Sequence, residues 1–243
     1  MKYLYYLLAF FSLAGGRPAA AQTTHDHAES RALYRQANTA PAATALRASL
    51  ARQASGFFGN GAFQDGALRT FDGRYRPVPG LRFHAGLRLL EARDSIDLDS
   101  THLWPVGSLR GFDLGEIGGT DAAALRRFRP RLVKEGAAGT RREFVEVITT
   151  VDAGPLLLAW LYASGADATA GRLSLMPLLV VGPGTDPTEP LRPLELTQTA
   201  VLRLFGSRAN DLSTYANTRH LRYDQATDVA QLLDPFNRVA VAK

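Results

Sequence analysis

The residues of this 243-residue chain that carry chemistry are scattered, and few keep a spacing that a reaction needs. Gly107-Ser108-Leu109-Arg110-Gly111 comes nearest to a nucleophile elbow. Ser108 follows the first glycine directly, so the G-x-S-x-G frame fails, and no strand–elbow–helix context surrounds it. Asp94, Asp97 and Asp99 cluster in RDSIDLD, where calcium would want grouped oxygen ligands. The spacing of a calcium loop and its closing Glu are absent. These carboxylates read instead as a solvated strand face, with Asp97 and Asp99 on one side. Glu146 is the one charge within a strongly apolar stretch. Work as an acid or base would require a partner and a shifted pKa, so a pair with one of the many arginines is the expectation. His84, His102 and His220 keep no metal or triad spacing, and His25-Asp26-His27 offers two imidazoles without further ligands. No catalytic, cofactor-binding or metal-binding residue is assigned.

The strongest surface feature is a basic cluster: Arg126, Arg127, Arg129, Arg131, Lys134, Arg141 and Arg142. Guanidinium groups fit phosphate and carboxylate bidentately, so the cluster is read as an anion-binding patch for an anionic envelope surface or an acidic protein. Blocks of like charge are also often simply solvated. Nucleic acid is not expected, because Phe128 is the one aromatic within the cluster.

Composition narrows the classes further. There are no cysteines, so disulfides, thiolate metal sites and thiol catalysis are excluded. Lys2, the apolar run Tyr3–Leu13 and the small residues ending in Ala19-Ala20-Ala21 follow the plan of a secretory signal cut after Ala21. The run is short of the ~20 residues that a membrane span needs, and no later stretch replaces it. The chain is therefore expected outside the cytoplasm, periplasmic or secreted. Loss of Lys2 and Arg17 with the leader lowers the formal charge from +5 to +3.

The elements that must position any site centre on Phe144–Ala163. Val145, Val147, Ile148, Thr149, Thr150 and Val151 are β-branched, Asp152-Ala153-Gly154-Pro155 supplies a turn, and Leu156–Ala163 is apolar on both alternating faces. This predicts a hairpin in the middle of a sheet, with Trp160 buried. Asp65-Gly66, Asp72-Gly73 and other turn signals punctuate the chain from Phe57. Pro77, Pro79 and Gly80 read as a break, and Arg82–Glu91 with Ile96–Leu98 as a strand pair turning at Arg93-Asp94-Ser95. Residues 115–142 read as a polar connector. Pro177 predicts an edge or bulge in the strand Arg172–Val181. Pro41 opens a short helix that ends near Gln53, and Gln22–Ala28 reads as irregular. Leu196–Phe205 reads as a helix closed by Gly206, a second helix holds Leu212 and Tyr215, and a third is capped by Asp224 and stopped by Pro235.

The segments EFVEVITTVDAGPLLLAWLYA and LRLFGSRANDLSTYA…DVAQLLDPFNRV together resemble uncharacterised secreted proteins of the Bacteroidota over roughly residues 57–238. The resemblance lies in hydrophobic pattern and implies no activity and no site residue. The expected fold is α+β, an antiparallel β domain (meander, sandwich or open barrel) followed by a short C-terminal helical segment. The expected parts are a signal over 1–21, a partly helical or disordered leader over 22–56, a β-rich domain over 57–191 and helices over 192–243. The expected function is a non-enzymatic envelope or secreted binding or structural protein, with an exported hydrolase as the alternative.

Overall fold

Short runs of β-branched and aromatic residues, cut by glycine turns, pair into one antiparallel sheet in the computed structural model, which describes residues 19–115, 125–134, 139–152, 154–167 and 172–241. Most of the expected signal, 1–18, and parts of the expected connector, 116–124 and 135–138, lie outside these residues. The first five strands are β1 (Gln64–Arg69), β2 (Tyr75–His84), β3 (Leu89–Arg93), β4 (Thr101–Pro105) and β5 (Gly111–Leu114). The rest are β6 (Arg126–Lys134), β7 (Thr140–Val147), β8 (Leu157–Asp167), β9 (Arg172–Gly182) and β10 (Arg192–Pro193). Their order in space is β10-β9-β8-β7-β6-β5-β1-β2-β3-β4. Two meanders thus meet where β5 returns to lie beside β1. Helices α1 (Ala19–Ala37) and α2 (Ala40–Arg52) precede the sheet, and α3 (Gln198–Arg203), α4 (Ala209–Arg219) and α5 (Ala226–Val241) follow it. The protein is α+β and rich in β structure.

The period-two pattern decides what each face buries. On one face Phe83, Phe112, Phe128 and Phe144 bring β2, β5, β6 and β7 together. Phe112 and Phe128 stack at 4.7 Å, while Phe83 and Phe144 meet edge-on at 5.7 Å. Val133, Val145, Val147, Leu157, Ala159, Leu161 and Val180 fill the opposite face of β6–β9 with Leu191. Strand β8 is therefore buried on both faces, as its doubly apolar run requires. Trp160, expected to be buried, is only partly so; it packs with Leu158 against the C-terminal helices and not in the phenylalanine core.

Prolines sit where the ladder needs no donor. Strand β3 pairs with β2 only over Leu81–His84, so Pro77 faces an unpaired edge. Pro79 and Gly80 fall at the register shift between β1 and β2, a bulge that re-aims the strand and does not end it. Pro130 lies beyond the reach of β5, and Pro177 lies outside the two residues that β10 pairs with β9. The described part of the expected connector is thus largely strand: β6 takes up Arg126–Lys134, and β7, Thr140–Val147, begins within it. Alternating arginines masked a period-two pattern there.

Four further expectations are corrected. The hairpin after β2 turns at Ala85–Arg88, with Arg88 at φ 54°, and not at Arg93-Asp94-Ser95. Asp97 and Asp99 lie in the β3–β4 loop with Ile96, 95% exposed, and so share no strand face. Helix α5 runs through Pro235 to Val241, since tertiary contacts hold both sides of the missing donor. There the Asp234 carboxylate accepts from the Thr150 N–H (2.8 Å), and Phe236 meets Phe205 edge-on at 5.4 Å. Helix α1 also takes in Gln22–Ala28, after an alanine run of high helix propensity.

Both ends of the sheet are managed. At the β4 edge the Leu103 N–H donates to Asn38 Oδ1 (3.0 Å), and Asn38 Nδ2 donates to Leu103 O (2.7 Å). The amide thus stands in for a further strand, which blunts an edge that would otherwise template another chain. At the β10 edge Leu191 exchanges backbone bonds of 2.8 Å with Leu132 and Lys134, drawing that edge back onto β6.

Candidate ligand cleft

A cleft of about 150 Å3 opens between α1, the β1–β2 turn and the end of β4. Each wall has a local cause. Asp72-Gly73 makes the turn, with Gly73 at φ 81°, a left-handed backbone that glycine adopts without steric cost. The Asp72 carboxylate binds the Thr70 hydroxyl and the Arg74 N–H (3.2 Å), which stiffens the turn that carries Thr70 and Phe71. From α1, His27, Ser30, Arg31 and Tyr34 line the other side, at successive spacings of three, one and three residues and so on neighbouring turns. His27 meets Phe71 edge-on at 6.0 Å across the opening. Trp104 lies against Tyr34 with centroids 4.1 Å apart, and among the described residues its buried indole N–H has no partner. Ser108, 4% exposed, closes the floor and donates to Pro105 O (2.7 Å).

Beside the cleft stands a chain that sequence spacing did not disclose. Asp94 Oδ2 lies 3.0 Å from His102 Nε2, and His102 Nδ1 lies 3.1 Å from the Tyr34 hydroxyl. A carboxylate only accepts, so the neutral imidazole carries its proton on Nε2 and leaves Nδ1 to accept from Tyr34. The Ile96 N–H (2.7 Å), with His102 and the Asp97 N–H, holds the Asp94 carboxyl below the usual range. The order acid–imidazole–hydroxyl is that of a relay. Burial, however, raises the Tyr34 pKa, which is the wrong direction for an activated nucleophile. A residue 68 positions from its partner leaves no local trace, so no sequence signal could have found this chain.

The other singled-out residues are accounted for one by one. Ser108 is inward and bonded to a carbonyl, so the elbow-like motif presents no free hydroxyl. His84 is fully buried, its Nε2 2.6 Å from Gln53 O and its Nδ1 accepting from the Leu87 N–H (3.0 Å). Burial lowers its pKa. Glu146 takes Arg126 as its partner, through Nε and Nη2 at 2.6 Å each, and the Tyr162 hydroxyl at 2.5 Å. Burial and that carboxylate push the Tyr162 pKa well up. Arg126 also lies over the Phe58 ring at 4.2 Å.

The seven basic residues divide. Arg127 and Arg129 share Asp152, at 2.7 and 2.6 Å, and Arg129 also reaches Asp113 at 2.7 Å with only 6% of its side chain exposed. Arg131 is half-buried against the carbonyls of Asp152 and Gly184, each at 3.1 Å. Lys134, Arg141 and Arg142 are exposed, with Arg141 on Glu143 at 2.6 Å. Five of the seven thus have partners within the fold, Arg141 among them, and the expected surface patch is not assembled from all of them.

Among the described residues no group of three or more His, Asp or Glu side chains is placed to hold a metal ion, and no helix is long and apolar enough to cross a membrane. No protein-family model, no curated protein and no solved structure matches this chain.

Proposed function

We propose that the chain is an exported, non-enzymatic binding protein of the cell envelope or medium, and that its ligand is a small polar molecule taken into the cleft between α1 and the β1–β2 turn. The observation that supports this reading most is the chemistry of the walls. Trp104, Tyr34 and Phe71 give apolar area, while Thr70, Asp72, Arg31 and His27 give polar groups of both signs. A mostly apolar concavity with a few placed polar groups is the ordinary form of a small-molecule site. The chain has two tryptophans, Trp104 and Trp160. A Trp160→Phe variant makes Trp104 the sole indole reporter. Titration of that variant with a panel of monosaccharides and amino acids should give a saturable change in emission with at least one, and Tyr34→Ala should abolish it.

The alternative, an exported hydrolase, draws on Asp94–His102–Tyr34. Turnover of aryl esters that is lost in His102→Ala, with no saturable ligand in the panel, would replace the binding reading. The export component is tested separately: protein recovered outside the cytoplasm should have the intact mass of a chain starting at Gln22. A full-length chain confined to the cytoplasm would sink it.

A further inference from the structure

The row Arg127, Arg129 and Arg131 occupies one face of β6, because alternate residues of a strand share a face. Asp113 from β5, Asp152 from the β7–β8 turn and Arg69 from β1 complete the group. Arg69 lies 3.0 Å from Asp113 Oδ2. Asp113 is therefore shared by Arg69 and Arg129, and Asp152 by Arg127 and Arg129. Among the described residues the hydrogen bonds of Arg131 go to carbonyl oxygens alone. Glu143, opposite Arg131 in register, binds Arg141 at 2.6 Å. Four guanidinium groups thus face two carboxylates: Arg129 and Asp113 form the buried pair, and the two further positive charges fall on side chains that solvent partly reaches, Arg69 being 42% exposed.

The surplus has a direction. Among the described residues Arg129 Nη2 and Arg131 Nε are both buried and without a hydrogen-bond partner. They belong to side chains two residues apart on the same face, about 7 Å along a strand. Nearby the Asp152 turn and the Gly184 loop close on each other, with the Gly184 N–H donating to Gly154 O (2.9 Å). A Cβ at Gly184 would stand 2.6 Å from that carbonyl, so glycine is required for the approach. Burial lowers the Arg131 pKa, against the pull of Asp152 and with the push of Arg129.

We propose that Arg129 and Arg131 form a binding site for a doubly charged tetrahedral oxyanion, inorganic phosphate or the phosphate group of a monoester. Such an anion balances the surplus and offers acceptors to both orphan N–H groups, and guanidinium is suited to it by its fixed planar donors. None of these residues lines the cleft, so this site stands apart from the one proposed above.

The test is calorimetric titration of the folded chain with inorganic phosphate at constant ionic strength in chloride. Saturable binding with one phosphate per chain is expected. Arg131→Gln should weaken it about tenfold or more, the scale of one lost charge-assisted bond. Arg131→Lys keeps the charge without the fork and should fall between the two, and Arg142→Gln, exposed on β7, should bind as the parent does. A second titration with glycerol phosphate separates the sources: binding as tight as that of phosphate means the site accepts an esterified group, and loss of binding means it takes the free ion. Absence of saturable binding by the parent in the millimolar range overturns the proposal whatever the variants do. So does equal affinity in a folded Arg131→Gln.

Discussion

The same side-chain device holds both ends of the chain to the sheet, in two different surroundings. Asn38, just after α1, accepts from the Leu103 N–H at 3.0 Å and donates to Leu103 O at 2.7 Å. Asn237, in α5, does the same to Leu156 at 3.0 and 2.7 Å. Asn38 is partly exposed beside the cleft, whereas Asn237 is fully buried. Gly154 stands so near that a Cβ there would lie 2.4 Å from Asn237 Cγ. Leu103 is itself fully buried, but Asn38 is not, so water can enter where that amide is cut back and a lost bond is exchanged for another. Without water, each stranded donor or acceptor costs its full desolvation. Equal geometry therefore predicts unequal energy. The C-terminal clamp fixes the fold, and the N-terminal clamp sets the position of the helix that lines the cleft.

Removing the buried clamp should have the largest effect. Asn237→Ala strands both polar groups of Leu156, at about 1–3 kcal/mol each, so a loss of about 3 kcal/mol or more is expected in urea unfolding. Gly154→Ala tests the same packing from the other side. The added methyl must displace Asn237, and overpacking of this kind costs about 1–3 kcal/mol. Asn38→Ala should cost only about 1 kcal/mol, while changing Trp104 emission through the Tyr34 contact. Equal losses in Asn38→Ala and Asn237→Ala would end the comparison, since burial would then have decided nothing.

The smallest expected effect is one of pH, and it belongs to the N-terminal side. His84 ties the turn after α2, through Gln53 O, to the β2–β3 turn, through the Leu87 N–H. Protonation would set two donors, Nδ1–H and the Leu87 N–H, against each other. Burial holds the folded pKa below the ordinary His value of about 6.5, so the unfolded chain binds more protons as pH falls. This contribution is complete above about 6.5 and is lost as pH drops through the lower, folded value. The loss should be smaller in a folded His84→Gln variant. An unchanged acid limb there would clear His84 of the effect.

Much of the fold is present in local pattern, and the reason is visible at particular residues. The Asp72-Gly73 turn, the β-branched run of β7, the doubly apolar β8 and the edge position of Pro177 each depend on a few neighbouring side chains. The arginine strand was not legible. Arg126, Arg127 and Arg129 look solvated until Asp113 and Glu146 arrive from other strands, and Asp152 from a turn, to pair with them, and Arg131 until the carbonyls of Asp152 and Gly184 reach it. Pro235 looked like a stop because its cost is local, while the contacts of Asp234 and Phe236 that offset it come from elsewhere in the fold.

By itself the sequence determined the class of this protein: strands and turns followed by helices, without thiol chemistry and without a recognisable catalytic spacing. Periodicity and turn chemistry act over a handful of residues, so one chain suffices to read them. Only the tertiary structure decided which polar groups meet. It set Asp94 and His102 against a tyrosine 68 residues away from the imidazole, and it closed α1 over the β1–β2 turn to make a cleft. Among the described residues it also left two arginines with buried, unpartnered N–H groups on one face of β6. Those encounters depend on register and on which loops approach each other, and neither is written in any local stretch of the chain.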